Sequence, residues 1–247
     1  MRTLISHFYN EEYLLPWWLK HHVEMFDQGI LIDYSSTDNS IDICRTLAPH
    51  WRVVRSRNIQ FDAIAIDFEV QQYEAGLPGW KLVLNTTEFL VGVNFPHLEE
   101  LIKQQQLTGC YFESAVMVDP FPDQVPVHHL PLVEQKFHGY MNTDPANNHG
   151  RLYHRGMIGA YMPGRHQSHL PHLAKANGLG TVFWYSMSPW CEPFQRRKLQ
   201  IKTRLSDHDQ RANWGNHHLI DADGLNQKWA SQVPNAVDLS HLVRQGL

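Results

Sequence analysis

The sequence predicts an α/β protein whose sheet is mostly parallel and is covered by helices on both faces. In residues 1–119, short apolar segments alternate with longer segments whose apolar residues recur every three or four positions, which indicates alternating strands and helices. Crossovers of this length join parallel strands and are right-handed. In residues 120–247 the alternation is lost. We therefore expect residues 1–247 to form one domain with a regular half and an irregular half.

The regular half is predicted to run βαβαβαβ. Pro16 lies in the first turn of the first helix, where its missing N–H costs nothing, and a Gly-Leu-Pro-Gly turn at 76–79 precedes the fourth strand. The predicted strands are Thr3–Tyr9, Gly29–Tyr34, Trp51–Arg55 and Trp80–Leu84, and the helical segments are Leu14–Phe26, Ile41–Leu47 and Ala63–Tyr73.

The irregular half contains fewer signals. Four prolines within 120–131 predict an extended segment, and the residues 144–150 form another predicted loop. An apolar run at Met157–Met162 followed by Pro163-Gly164 predicts a hairpin that presents Arg165 and His166. Pro193 begins a predicted basic helix. Its expected inward residues are Phe194, Ile201 and Leu205, and its expected outward residues are Arg196, Arg197 and Lys198.

Composition narrows the class of protein. The formal charge is −4, with 43% hydrophobic and 19% charged residues, which favours a folded domain and disfavours nucleic acid as a partner. The uncharged run Ala176–Cys191 is too short for a membrane span, so we expect no integral membrane contact and a cytoplasmic location. The three cysteines lack paired spacing and predict neither disulfides nor a thiolate metal site.

Polar residues cluster where three of the predicted strands end. The clusters are residues 10–12 after the first strand, Asp33 with residues 35–38 after the second, and residues 85–88 after the fourth. Ligands of open α/β sheets bind at the carboxyl ends of the strands. These three clusters are therefore expected to converge on one cleft.

Three motifs carry a resemblance to a known family. The runs ISHFYNEEYLLPWWLKHH, LIDYSSTDNS and WKLVLNTTEFLV, within residues 3–95, resemble the opening half of family-two-like glycosyltransferases of the GT-A fold, a Rossmann-like α/β fold. The resemblance implies transfer of a sugar from a UDP- or GDP-sugar to a glycan or another hydroxyl acceptor, in polysaccharide or glycoconjugate synthesis. It also implies that residues 1–119 bind the nucleotide and that residues 120–247 hold the acceptor.

The resemblance assigns roles to four residues of the first two clusters. Asn10 and Glu11 match residues beside the nucleoside, Asp33 matches the acid that bonds the base, and Asp38 matches the acid of the Ser-Thr-Asp turn. Carboxylates can accept the hydrogen bonds that a base and a ribose donate. Helix capping is an alternative for Asn10, Ser36 and Asp38.

The third cluster departs from the family. The family usually has Asp-x-Asp-Glu-Phe at 85–89, where the aspartates help to hold a divalent metal, Mn²⁺ or Mg²⁺. Here Asn85 and Thr87 replace both aspartates, and neutral oxygens bind hard cations weakly. Glu88 and His166 are the conventional metal ligands that the resemblance leaves.

A diphosphate still needs positive charge, since one unit pair at 4 Å is worth about 4 kcal/mol at an effective dielectric near 20. Arg151, Arg155, Arg165 and His166 are the candidates, because arginine can hold phosphate oxygens with two parallel hydrogen bonds. A solvated basic hairpin is the alternative interpretation.

An inverting transfer needs a carboxylate near the acceptor hydroxyl as its catalytic base. Asp119 ends the strand-like segment AVMVD and is the first choice, while Glu134, Asp144 and Glu192 remain open. Two other functions also remain open. One is a non-catalytic protein that binds nucleotide or glycan, and the other is a metal hydrolase built on the histidines, including the spacing His166, His169 and His172.

Overall fold

The computed structural model describes residues 1–143, 150–215 and 219–244, which form eleven strands and nine α-helices. The strands are β1 (Arg2–Phe8), β2 (Gln28–Asp33), β3 (Arg52–Arg55), β4 (Trp80–Val83), β5 (Glu88–Val91), β6 (Gly109–Val118), β7 (His138–Met141), β8 (Arg151–His154), β9 (Leu173–Lys175), β10 (Thr181–Met187) and β11 (Val237–Asp238). The helices are α1 (Leu15–His22), α2 (Ser40–Leu47), α3 (Ala63–Glu74), α4 (Phe95–Gln104), α5 (Leu132–Gln135), α6 (Glu192–Gln200), α7 (Asp207–Arg211), α8 (Ala222–Gln232) and α9 (Ser240–Val243).

The strands pair in the order β11-β7-β6-β8-β4-β1-β2-β3, with β10 joining β6 to β5 and with β9 added to β6. At one end of the sheet, β3, β2, β1 and β4 are all parallel. Strand β8 is antiparallel to both β4 and β6. The prediction of an α/β protein with parallel strands in its first half is confirmed.

Helices cover both faces of the parallel strands, as predicted. Alternate residues of a strand face opposite sides, so Leu4 packs with the residues of α1 and α2, while Ile5 packs with those of α3. Trp18 of α1 is fully buried in the first core, and Val70 of α3 is fully buried in the second. The two cores fix the ends of β1 and β2 relative to the helices that follow them.

The predicted strand Met157–Met162 is wrong, since the strand of this region is β8, which begins six residues earlier. The turn that follows is nevertheless hairpin-like. The Arg165 amide donates to the Met162 carbonyl at 2.9 Å, and Tyr161 and Ser168 form an isolated antiparallel bridge. The residues Arg165 and His166 therefore lie at a tight turn, although it does not join two long strands.

The basic helix α6 begins one residue before Pro193 and ends at Gln200. Phe194 is buried as predicted, and Leu205 is buried but lies beyond the helix end. Arg196 is exposed and pairs with Glu192. The prediction that Arg197 and Lys198 also face solvent is wrong, because Arg197 pairs with Glu11 and Lys198 Nζ donates to the Ser186 carbonyl.

Two further predictions concerned membrane-spanning helices and the pairing of cysteines. No α-helix among the described residues is long and apolar enough to cross a membrane. Cys44, Cys110 and Cys191 are all unpaired thiols, as their spacing predicts.

Candidate functional site

The loops that follow β1 and β2 are hydrogen-bonded to each other at the carboxyl edge of the sheet. The Asn10 amide nitrogen donates to Ser36 Oγ at 3.0 Å, and Asn10 Oδ1 accepts from the Thr37 amide at 2.7 Å. The Glu12 amide donates to Asp38 Oδ2 at 3.0 Å. Two of the three predicted polar clusters therefore meet, although they are more than 25 residues apart in sequence.

Asp33 ends β2 and is 4% exposed. One of its oxygens, Oδ1, accepts from the Ser36 amide at 2.9 Å. Asp33 and residues 35–37 line a cavity of about 670 Å³, which also has Trp51 and two arginines, Arg45 and Arg55, in its walls. This volume is within the usual range for small-molecule sites of ~300–1,000 Å³.

Asp38 has a structural role. Its Oδ1 accepts from the Ser40 amide at 3.0 Å, at the beginning of α2, and its Oδ2 holds the loop after β1 through Glu12. Asp38 therefore acts as a helix cap, which is the alternative role considered above. Its carboxylate fixes the shape of the edge around the cavity.

Glu11 is buried and forms an ion pair with Arg197 of α6. The Glu11 amide also donates to Ser40 Oγ at 2.8 Å. The next residue of α6, Lys198, donates from Nζ to the Ser186 carbonyl at 2.7 Å. Burial, together with the nearby charges of Arg197 and Lys228, lowers the pKa of Lys198 to about 7. Glu11 is thus engaged by a helix of the second half.

The backbone carbonyls of the segment after β4 accept hydrogen bonds from both halves of the chain. Trp18 Nε1 donates to the Glu88 carbonyl at 2.9 Å, and the Tyr185 amide donates to the Thr87 carbonyl at 2.8 Å. The backbone nitrogen of Asn85 donates to Glu88 Oε2 at 2.8 Å. Thr87 is 8% exposed, and Glu88 is 3% exposed.

Arg151 occupies the space between the two expected metal ligands. Its Nε and Nη2 donate to the two oxygens of Glu88 at 2.8 and 2.6 Å. Its Nη1 donates to the Gly164 carbonyl at 2.9 Å and lies 3.2 Å from His166 Nδ1. A guanidinium is thus bonded to both Glu88 and His166.

These residues do not fit a divalent metal ion. Both oxygens of Glu88 already accept from Arg151, and the third-cluster side chains Asn85 and Thr87 offer only neutral oxygens. A metal cation near Glu88 and His166 would also be repelled by the Arg151 guanidinium, which is positively charged as well. Arg151 therefore supplies the positive charge at this position.

Arg165 lies in the left-handed region, with φ of 62°, at the turn after β8. Its guanidinium forms a buried ion pair with Asp67 of α3, and Nη2 donates to Asn85 Oδ1 at 3.0 Å. Burial raises the pKa of Asp67, while the Arg165 charge opposes this change. Arg165 Nε is buried and has no hydrogen-bond partner among the described residues. It is a buried N–H donor whose hydrogen-bonding capacity is not used by the described residues.

The structure does not bring Arg155 to this cluster. Strand β8 is antiparallel to β4, with Tyr153 opposite Leu82 and His154 opposite Lys81. Arg151 therefore lies at the carboxyl end of β4, and Arg155 lies four residues away, at the amino end, about 13 Å distant at ~3.3 Å per residue. Its side chain is exposed.

Asp119 directly follows β6, is 2% exposed, and has several partners. Its Oδ2 lies 2.7 Å from Lys136 Nζ and accepts from the Trp190 amide at 2.9 Å, and its Oδ1 accepts from the Phe121 amide at 3.0 Å. Asp119 and Lys136 also line a cavity of about 120 Å³. The other candidate bases, Glu134 and Glu192, are exposed, and Asp144 lies outside the described residues.

The histidine spacing His166, His169 and His172 forms no group of ligand atoms in the described part of the chain. The group found there is Asp62, His208 and Asp209, whose carboxylates already accept from the Ala65 and Ala63 amides at the beginning of α3. His22 is a core residue, as predicted, with Nδ1 2.9 Å from the Trp18 carbonyl. The pair at 217–218 lies outside the described residues.

Sequence reasoning missed four residues of this edge: Arg45, Arg55, Asp67 and Arg197. Arg55 could have been found, because it ends β3 directly beside Asp33 in the parallel register. Asp67 and Arg197 gave no such signal, since each is 98 or more residues from its partner in sequence.

No family model matches this chain, and no curated protein matches it significantly. Several solved structures are similar at low identity. The S. aureus TarS fragment solved with UDP is 11% identical, with a TM-score of 0.46 over 82% of this chain and 64% of that one. Glucosyl-3-phosphoglycerate synthase from Mycobacterium tuberculosis, solved with Mn²⁺, UDP and glucosyl-3-phosphoglycerate, is 12% identical, with a TM-score of 0.44 over 90% of this chain and 81% of that one.

A third structure, the TarS fragment with UDP-GlcNAc, matches 48% of this chain and 34% of that one, with 15% identity and a TM-score of 0.31. The chain thus spans less than two thirds of the TarS fragment in either complex. These scores are too low to argue from. The strand pairing and the site themselves define an α/β protein with a polar cleft at the carboxyl edge of its parallel strands.

Proposed function

We propose that the protein is a glycosyltransferase of the GT-A type that binds a nucleoside diphosphate sugar at the carboxyl edge of β1, β2 and β4. The acceptor is a glycan or another hydroxyl compound, and the product belongs to polysaccharide or glycoconjugate synthesis in the cytoplasm. The convergence of Asn10, Asp33 and Asp38 beside one cavity of about 670 Å³ carries the proposal.

The chemistry of the cavity walls suits a nucleotide. Asp33 has one oxygen, Oδ2, for which the structure gives no hydrogen-bond donor among the described residues, and a base or ribose can donate to it. Trp51 and Val53 offer apolar surface, and Arg45 and Arg55 offer hydrogen-bond donors to a base or ribose. The same side chains would serve UDP or GDP equally.

In this proposal the leaving diphosphate is stabilised by side chains instead of a metal ion. Charge develops on the phosphate oxygens as the sugar departs, and donors that are already in place stabilise such charge most effectively. The buried Nε of Arg165, which lacks a partner among the described residues, is a donor of this kind. Arg151 would hold Arg165's turn in place through the Gly164 carbonyl.

Asp119 stays our proposal for the residue that accepts the proton of the attacking hydroxyl. Lys136 Nζ, at 2.7 Å, places a positive charge beside this carboxylate. The cavity beside it, of about 120 Å³, has room for about four waters at ~30 Å³ each, so only part of an acceptor would enter.

Calorimetric titration with UDP and with GDP tests the nucleotide site. We expect Asp33→Ala to weaken binding by about 1.5–3 kcal/mol, as expected when a hydrogen bond to a charged group is lost. Asp27→Ala is a matched control, since Asp27 directly precedes the other end of β2. Equal affinity of Asp33→Ala and the wild type would refute the role of Asp33.

Release of UDP from UDP-sugars, with water as the acceptor, tests transfer without knowledge of the acceptor. We expect turnover to persist in EDTA. Loss of turnover in EDTA with recovery in Mn²⁺ would refute the metal-free proposal. Tight binding of UDP without turnover of any UDP- or GDP-sugar, even with glycan acceptors, would favour the non-catalytic binding protein.

A further inference from the structure

Two buried acids of helix α3 hold the turn that carries Arg165. Glu74 and Asp67 are about two helical turns apart, and they are 0% and 4% exposed. Asp67 pairs with Arg165, and its Oδ2 accepts from the Gly164 amide at 2.9 Å. At the other end of the turn, Glu74 Oε2 accepts from the Gly159 amide at 2.6 Å. The turn is therefore attached to α3 at two points.

Tyr161 completes the attachment at Glu74. Its OH donates to Glu74 Oε1 at 2.6 Å, and Nε2 of the fully buried His154 lies 3.1 Å from the same oxygen. Burial and the Glu74 charge raise the pKa of Tyr161, so its OH keeps the proton that it donates. A hydrogen bond to a charged acceptor is stronger than one between neutral groups. Tyr161 therefore contributes a strong contact between the turn and α3.

The backbone of the turn adopts an unfavourable conformation at two residues. Ala160 and Arg165 have φ angles of 46° and 62°, in the left-handed region that residues other than glycine rarely adopt. Ala160 lies between Gly159 and Tyr161, which are both bonded to Glu74. Such a conformation costs energy and persists where the surrounding contacts fix it. The contacts with α3 therefore help the turn to keep its shape.

Hydrogen bonds within the turn join its two attached ends. Ser168 Oγ donates to the Gly159 carbonyl at 2.6 Å, and the Met162 amide donates to the Gln167 carbonyl at 3.0 Å. The Arg165 amide donates to the Met162 carbonyl at 2.9 Å. A shift at the Gly159 end would therefore also displace Arg165.

We propose that Tyr161 is a positioning residue for Arg165. Its bond to Glu74 keeps the turn in contact with α3, and the turn keeps Arg165 Nε in place as a donor. This role rests on the proposed function, in which Nε stabilises the charge that develops on the leaving diphosphate. Loss of the Tyr161 OH should then slow turnover without weakening the binding of UDP in the cavity beside Asp33.

Kinetics of Tyr161→Phe with UDP-sugars, with water as the acceptor, test the proposal. Phenylalanine keeps the ring and removes only the OH. We expect kcat to fall by about tenfold, since a catalytic group displaced by ~1 Å can cost up to ~100-fold. The KM for the donor and the affinity for UDP should stay within about twofold of the wild type, because ground-state binding is unchanged.

A double-mutant cycle separates positioning from a general loss of structure. If Tyr161 acts through Arg165 Nε, Tyr161→Phe should lower kcat no further in an Arg165→Lys background. Losses of kcat that multiply in the double variant would overturn the proposal. So would a Tyr161→Phe protein that loses UDP affinity while its kcat is unchanged.

Tyr153→Phe is the matched control. The Tyr153 OH donates to Glu99 Oε1 at 2.6 Å, which is the same kind of bond at the same distance, but Glu99 belongs to α4. This variant also leaves a buried carboxylate without its phenol, so it should lose stability in a similar way. It should nevertheless keep the wild-type kcat.

Hydrogen exchange of the Arg165 amide provides a measurement that needs no turnover. We expect this amide to exchange faster by about tenfold or more in Tyr161→Phe than in the wild type or in Tyr153→Phe, because the turn opens more often. Equal exchange in the three proteins would overturn the proposal, whether or not the wild type is active. A wild type that binds no UDP and turns over no UDP-sugar would instead refute the proposed function, and the exchange would still decide whether Tyr161 positions the turn.

Discussion

Replacing Arg151 by methionine should expose what this arginine does at the candidate site. Arg151 and Glu88 are each 3% exposed and share two hydrogen bonds. Removing one partner of a buried ion pair costs about 3–5 kcal/mol, because the remaining charge is left buried and unpaired. At about 2–4 °C per kcal/mol for a chain of this size, the melting temperature of Arg151→Met should fall by about 10 °C.

The same variant should acquire a metal site. Without the guanidinium, Glu88 and His166 lose the cation that both contact, and Mn²⁺ can take the place of the lost positive charge. A ligand that binds only the folded state raises its stability, so Mn²⁺ should restore part of the lost melting temperature and EDTA should remove this gain. The wild-type melting temperature should not respond to Mn²⁺.

Thermal unfolding of four proteins (the wild type, Arg151→Met, Arg155→Met and Arg151→Met with Glu88→Leu), each in Mn²⁺ and in EDTA, provides the measurement. Arg155→Met is the matched control, since Arg155 is exposed beyond the other end of β8, and its effect should be within about 0.5 kcal/mol. Arg151→Met with Glu88→Leu should be more stable than Arg151→Met alone, because no buried charge is left. An Arg151→Met protein that melts with the wild type, or a wild type stabilised by Mn²⁺, would refute this account of the edge.

Two further predictions concern single side chains. Arg165→Lys keeps a positive charge for Asp67 but lacks the Nε donor, so turnover of UDP-sugars should fall by about 100-fold. Its melting temperature should also fall, because lysine cannot donate to both Asp67 and Asn85 as the guanidinium does, and unchanged turnover would contradict the role of Nε. Lys198 has a folded-state pKa of about 7 and an unfolded one of ~10.4, so the unfolded chain binds more protons between these values and stability rises with pH there. Relative to Lys198→Met, the wild type should gain about 2 kcal/mol of unfolding free energy between about pH 7 and pH 9 in urea titrations. An equal pH dependence of both proteins would contradict the lowered pKa.

The parallel half was predictable because its signals are local. β1 and β2 are short, nearly continuous apolar segments, and the apolar residues of α3 recur at the helix period, so each element could be predicted from a short window of sequence. Because the carboxyl ends of parallel strands lie at the same edge of a sheet, Asn10, Asp33 and Glu88 could then be placed at one edge. These inferences need no knowledge of which side chains touch.

The pairing of charges was not predictable by the same means. The sequence pattern predicts that Arg197 faces solvent on a basic helix, yet Arg197 pairs with Glu11, 186 residues away. Arg155 and Arg151 both lie near the same short strand, but an antiparallel strand takes them to opposite ends of the sheet. Helical and strand periods show which side chains share a face, and they do not show which distant charge that face meets.

Three buried ion pairs at the candidate site share one property that the sequence does not show. In each, the acid belongs to the regular half and the arginine to the irregular half: Glu11 with Arg197, Asp67 with Arg165, and Glu88 with Arg151. An ion pair of this kind has a narrow geometry, so these contacts can fix the position of a half that lacks a regular apolar pattern. Acids at the strand ends would then serve both ligand binding and attachment of the second half. The loss of activity in a single-residue variant is therefore informative about catalysis only when its melting temperature, and that of the variant lacking both partners, is measured beside it.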